Sequence, residues 1–211
     1  GSTRRAPSPA GALPRGTRRN LTGSPTVRAV LVDCDGTLAP QDMKVTARVR
    51  DAVTELAAQV PVGIVSSRDH IDIRWLAGDM GFTAPQISEG GARVFAVGED
   101  EPLWVKPLEA GDGRAIVDYL EAAGLSFGAI DGTRRVSASG EIKDWRLTRV
   151  SAYSLTPERT KDVARRIVDA TSGVHPAMFI RTDNGEWMVD FTHAEATKAA
   201  AAARFAEFVG V

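Results

Sequence analysis

Two aspartates, Asp33 and Asp35, stand one residue apart at the end of an apolar run, Ala29-Val30-Leu31-Val32, and Gly36 and Thr37 follow them. Carboxylates placed so close repel each other unless a cation lies between them, and an all-oxygen donor set suits Mg²⁺. A carboxylate can attack phosphorus and form an aspartyl-phosphate. A second one within reach can protonate the leaving oxygen and then deprotonate water. Phosphoryl transfer also needs donors for the equatorial oxygens. Thr37 offers a hydroxyl and a backbone N–H, Ser66 a hydroxyl at the end of a second apolar run, and Lys198 a positive charge. These residues read as a nucleophile (Asp33), an acid/base (Asp35), a metal pair (Asp33 and Asp35) and a phosphate-binding set (Thr37, Ser66 and Lys198).

Such groups need elements that bring them to one place. An unbroken apolar run reads as a strand buried on both faces, and ligands of open α/β sheets bind at the carboxyl ends of such strands. Residues 45–60 follow with helical spacing, with Val49, Val53, Leu56 and Ala57 on one face. Val62–Val65 reads as a second buried strand. Residues 70–80 read as a helix with Ile71, Trp75 and Leu76 on one stripe, and residues 85–88 as a third strand. Strand and helix in alternation predict a Rossmann-like, doubly wound parallel sheet.

The middle of the chain changes character. Short strands and two helices, at 114–123 and 157–170, lead to Asp183-Asn184-Gly185, a hairpin signal between 177–182 and 186–191. The pattern predicts an inserted α+β cap domain over 98–185, with the core formed by 28–97 and 186–211. Thr192-His193-Ala194-Glu195 reads as a capping box that opens the last helix. Residues 1–27 hold four prolines and four glycines without a hydrophobic period, and read as a disordered tail.

The motifs together resemble the haloacid dehalogenase-like phosphatases. Asp33-Cys34-Asp35-Gly36-Thr37-Leu38 is similar to their first motif, Val65-Ser66-Ser67-Arg68 to the second, and the apolar strand and lysine helix of residues 186–198 to the third. An α+β insert between the second and third motifs is similar to the large-cap branch. That branch includes phosphoglycolate, sucrose-phosphate and mannosyl-3-phosphoglycerate phosphatases and phosphomannomutases. The resemblance spans about residues 28–211. It implies a Mg²⁺-dependent phosphatase of a small phosphorylated metabolite, with Asp33 as nucleophile and metal ligand. It implies that Asp35 is the acid/base and binds metal through its backbone carbonyl, and that Ser66 and Lys198 hold the phosphoryl group. A phosphomutase and a catalytically silent scaffold stay open as alternatives.

Two departures stand out. Gly90-Gly91 occupies the place where many large-cap members have Asn-Gly, which removes a substrate-side contact. The family's fourth motif, a Gly-Asp and a further Asp one strand beyond the lysine helix, has no counterpart before Val211. The chain is therefore expected to be a fragment, or to have its opening strand at a sheet edge where a partner or a second copy could pair.

Composition narrows the function classes. Six arginines and no acid lie in residues 1–32, while the remainder carries 20 basic against 27 acidic side chains. An acidic body argues against a nucleic-acid-binding core. A single cysteine, Cys34, suits a reducing cytoplasm, and no apolar run reaches membrane-spanning length. His70, His175 and His193 lack metal-ligand spacing and read as structural or surface residues. Among the basic residues of the insert, Arg134, Arg135, Lys143, Arg146 and Arg181, one or two could meet an anionic substrate.

Overall fold

The computed structural model describes residues 26–40, 42–181 and 184–211. The expected tail lies outside the described residues except for residues 26 and 27, and so do Thr182 and Asp183 of the hairpin signal.

The apolar runs become the parallel strands β1 (Val30–Asp33), β2 (Val62–Val65) and β3 (Gln86–Ser88). β4 (Arg93–Phe95) and β5 (Trp104–Val105) continue the sheet antiparallel, in the order β1-β2-β3-β4-β5. Helices lie on both faces. On one, α1 (Ala47–Ala57) and α2 (His70–Asp79) cover a cluster that includes Cys34, Ile64, Ile73, Leu76 and Phe95. On the other, α5 (Lys198–Val209) sets Ala201 and Phe205 against Ile87 and Val94. This is the α/β architecture read from the strand–helix alternation. β1 lies at one end of the sheet among the described residues.

Three elements differ in detail from the sequence expectations. In α2 the buried residues are His70, Ile73, Leu76 and Ala77, whereas Ile71 and Trp75 are exposed. The helix is turned because the buried Glu89 carboxylate draws His70 inward. The last helix is capped by Thr197, whose side chain accepts from Ala200 N at 3.1 Å, and not by Thr192. Thr192 and His193 instead continue a strand ladder opposite His175 and Val174.

The second sheet is antiparallel throughout. It comprises β6 (Phe127–Asp131), β7 (Arg134–Val136), β8 (Arg149–Leu155), β9 (Val174–Ile180) and β10 (Trp187–His193), in the order β7-β6-β8-β10-β9. α3 (Ala110–Ala122) and α4 (Pro157–Ala170) pack on one face and bury Ile116, Leu120, Val150, Val163, Ile167, Val189 and Phe191. Successive side chains on a strand point to opposite faces. Arg149 and Tyr153 on β8, and Met188 and Asp190 on β10, therefore face away from those helices. The expected division at 98 and 186 does not follow the hydrogen bonding. Trp104–Val105 belongs to the first sheet, and the strand read as the start of the third motif is β10 of the second. Only the lysine helix beyond it returns to the first sheet.

Candidate active site

In the parallel ladder Asp33 pairs with Val65, so β1 and β2 end at the same level. Asp33 and, one residue past β2, Ser66 thus emerge side by side at the carboxyl edge of the sheet. Gly36 then takes φ +75, a left-handed conformation that glycine adopts without a Cβ clash, and the chain turns back through Gly36 N to Ala39 O at 3.0 Å. Lys198, at the first turn of α5, comes to the same edge, where its Nζ donates to Asp33 Oδ1 at 2.6 Å.

These groups open into a cleft of about 620 Å³ that residues of the second sheet line from the other side. Asp33, Asp35, Ser66 and Lys198 line its floor, with Arg68, Asp69 and Asp72 beside them. Arg149, Tyr153, Phe179, Arg181, Met188 and Asp190 line the opposite wall. Thr37 is not among the lining residues, and its amide closes a turn on Cys34 O at 3.3 Å. The other four residues read from the sequence come together.

Arg68 was part of the second motif without a role of its own, yet it grips Asp35. Its Nε donates to both carboxylate oxygens at 3.0 and 3.1 Å, and its Nη2 to Oδ1 at 2.7 Å. Arg68 N also donates to Ser66 Oγ at 3.1 Å, which orients that hydroxyl. Arg135 reaches across from β7 to the start of α2, with donations to Asp69 at 2.6 and 2.8 Å and to Asp72 at 2.6 Å. Arg149 donates to the carbonyl of Ser67, so two arginines of the second sheet hold the floor of the cavity. No local sequence signal marks the contacts of these arginine side chains, which join residues far apart in the chain.

Burial and charge divide the acids. Burial raises the Asp69 carboxyl, but the Arg135 hydrogen bonds and the amide of Asp72 outweigh it, and the net shift is downward. In Asp190 burial prevails over Arg149 and Ser151, and the carboxyl is raised although Ser151 Oγ donates to it at 2.5 Å. Cys34 sits between Asp33 and Asp35 but is buried, and burial together with the Asp35 charge pushes its thiol up to about 11. It stays a protonated core residue and not a nucleophile.

A magnesium ion is the group this donor set could hold. Mg²⁺ binds through one or two carboxylates and otherwise keeps waters or substrate oxygens. Asp33 engages Lys198 through Oδ1 alone, which leaves Oδ2 for a cation, while the Asp35 carboxylate is taken by Arg68. The residues fit an ion carried mainly by Asp33 and water. Among the described residues no group of three or more His, Cys, Asp or Glu side chains gathers as a metal cage.

The family model for haloacid dehalogenase-like hydrolases matches residues 30–140. A comparison with curated proteins finds no match. Among solved structures, a haloacid dehalogenase-like hydrolase from B. subtilis superposes with a TM-score of 0.72 at 14% identity, covering 88% of this chain and 80% of that one. Another from Bacteroides thetaiotaomicron gives 0.74 at 15% identity, covering 88% and 78%. A subclass IIB sugar phosphatase gives 0.67 at 14% identity, covering 88% and 77%. At such identities the likeness is one of fold.

Proposed function

This chain belongs to the haloacid dehalogenase-like hydrolases, and we propose that it is a Mg²⁺-dependent phosphatase of a small phosphorylated metabolite that works through an aspartyl-phosphate on Asp33. The observation that carries this reading is the convergence of Asp33, Asp35, Ser66 and Lys198 on one cavity from three separate segments. An Asp33 oxygen attacks phosphorus as the bond to the leaving oxygen breaks. Asp35, in its protonated form, gives its proton to that oxygen. It then takes a proton from the water that cleaves the aspartyl-phosphate and releases inorganic phosphate. Lys198 and Ser66 bind the equatorial oxygens as charge builds on them. Arg68 fixes the direction of the Asp35 carboxylate between turnovers. Bound magnesium would supply neutralisation of the phosphoryl charge, with Asp33 as its principal protein ligand.

The second sheet acts as a cap that excludes water and meets the leaving group. Its wall mixes the apolar faces of Phe179 and Met188 with the polar groups of Arg149, Tyr153 and Asp190. Such a wall suits a small hydroxylated leaving group, a reading that the sugar-phosphatase neighbour supports. Hydrolysis of p-nitrophenyl phosphate tests the proposal. Activity that requires Mg²⁺, stops with EDTA and is lost in Asp33→Asn supports it. Activity that survives Asp33→Asn overturns it.

A further inference from the structure

The turn after β3, Glu89-Gly90-Gly91, does more than reverse the chain. Glu89 has φ +55, in the left-handed region. A residue with a side chain stays there only where its surroundings hold it. Its carboxylate is fully buried and held at both oxygens. His70 N and Nδ1 lie 3.2 and 2.8 Å from Oε1, and Arg93 Nε donates to Oε2 at 3.2 Å. Burial alone would raise this carboxyl, but His70 and Arg93 bring it down to about 2. It is an ionised acceptor, so His70 Nδ1 carries the proton between them.

The backbone of the same turn supports the cavity floor. Glu89 N donates to Arg68 O at 2.7 Å and Gly90 N to Ser66 O at 3.1 Å. Gly91, at φ +107, lies so close to the start of α5 that a Cβ there would run into the Thr197 carbonyl and come within 2.7 Å of Lys198 N. The turn also reaches the cap, because Arg93 Nη2 donates to Gly132 O, between β6 and β7, at 2.6 Å.

We propose that Glu89 is a positioning residue for phosphoryl transfer. Its buried carboxylate locks the 89–91 turn against α2 and β4, and that turn sets where Ser66, Arg68 and Lys198 stand relative to Asp33. Gly90-Gly91 thus serves as a seat for the lysine helix instead of a substrate contact. The inference rests on the phosphatase reading above.

The test compares wild type, Glu89→Gln and a remote cap-core variant, Leu120→Val, each assayed equally far below its own Tm. Turnover of p-nitrophenyl phosphate and inhibition by orthovanadate are measured. Glu89→Gln is expected to lower kcat by about tenfold or more and to weaken vanadate inhibition in step, with a much smaller change in KM. Leu120→Val is expected to keep both near wild type. Wild-type kcat and vanadate inhibition in Glu89→Gln, whatever its Tm, would overturn the proposal. If Glu89→Gln does not fold, Arg93→Lys carries the same test with the same two outcomes. If wild type shows no turnover, the phosphatase reading fails alone, and calorimetric vanadate binding to wild type and variant decides the positioning role. Equal affinities, or no binding to either, would overturn it.

Discussion

Lys198 Nζ lies 2.6 Å from Asp33 Oδ1, although 165 positions separate the two residues in the chain. The pair is half-exposed on both sides, so its contribution to stability is small. In the proposed mechanism the cation stands where charge would build on a phosphoryl group in contact with Asp33. Lys198→Ala is therefore expected to lower kcat by about 10²–10³-fold and to leave the Tm nearly unchanged. Steady-state kinetics and a thermal melt on the same sample check both halves.

Arg68 grips Asp35, the acid/base of the proposed mechanism. Its planar fork reaches both oxygens of Asp35, and a lysine presents a single point charge that cannot copy this geometry. Arg68→Lys is expected to lose about tenfold or more in kcat, a part of the roughly 10²–10⁴-fold that a general acid–base group contributes. A lysine variant with wild-type kcat would show that the bidentate grip has no part in turnover.

Arg135 ties the second sheet to the start of α2 through Asp69 and Asp72. Arg135 and Asp72 are partly exposed, so this tie should weaken as salt screens it. Arg135→Gln is expected to raise KM several-fold and to make KM less sensitive to ionic strength than it is in wild type. Titration of KM against NaCl reads both effects.

Acid should destabilise the protein through Glu89 and Asp69. Both carboxyls are depressed in the folded state, Glu89 from its ordinary 4.5 to about 2. A depressed carboxyl adds stability above its unfolded value, and that stability is lost as pH falls towards the folded value. The Tm is expected to hold at neutral pH and to drop once the pH goes below 4.5. Glu89→Gln should melt lower than wild type at neutral pH yet lose less on acidification, since it has no proton to take up there. Melts across the pH range give the comparison directly.

The short-range features of the site were legible in the sequence. Apolar runs ending at Asp33 and Val65 become neighbouring parallel strands, so the residues at their ends meet. Lys198 was legible as the start of a helix. The capping residue was not, because Thr192 has the right side chain but its backbone is committed to pairing with β9. The buried face of α2 was missed for a related reason. Ile71 and Trp75 are more hydrophobic than His70, but only His70 has a buried carboxylate to meet. The second sheet's hold on the cavity floor was not legible at all. Arg149 finds the Ser67 carbonyl across 82 positions, and only the packing of one sheet over the ends of another creates that contact.

The central claim is that Asp33 carries the phosphoryl group. Wild-type protein turning over p-nitrophenyl phosphate with Mg²⁺ can be quenched in acid within a fraction of one turnover, digested and mapped by mass spectrometry. A phosphoryl group is expected on the peptide containing Asp33, and none on the same peptide from Asp33→Asn. A phosphoryl group on another residue, or turnover with no labelled Asp33 at any quench time, would contradict it.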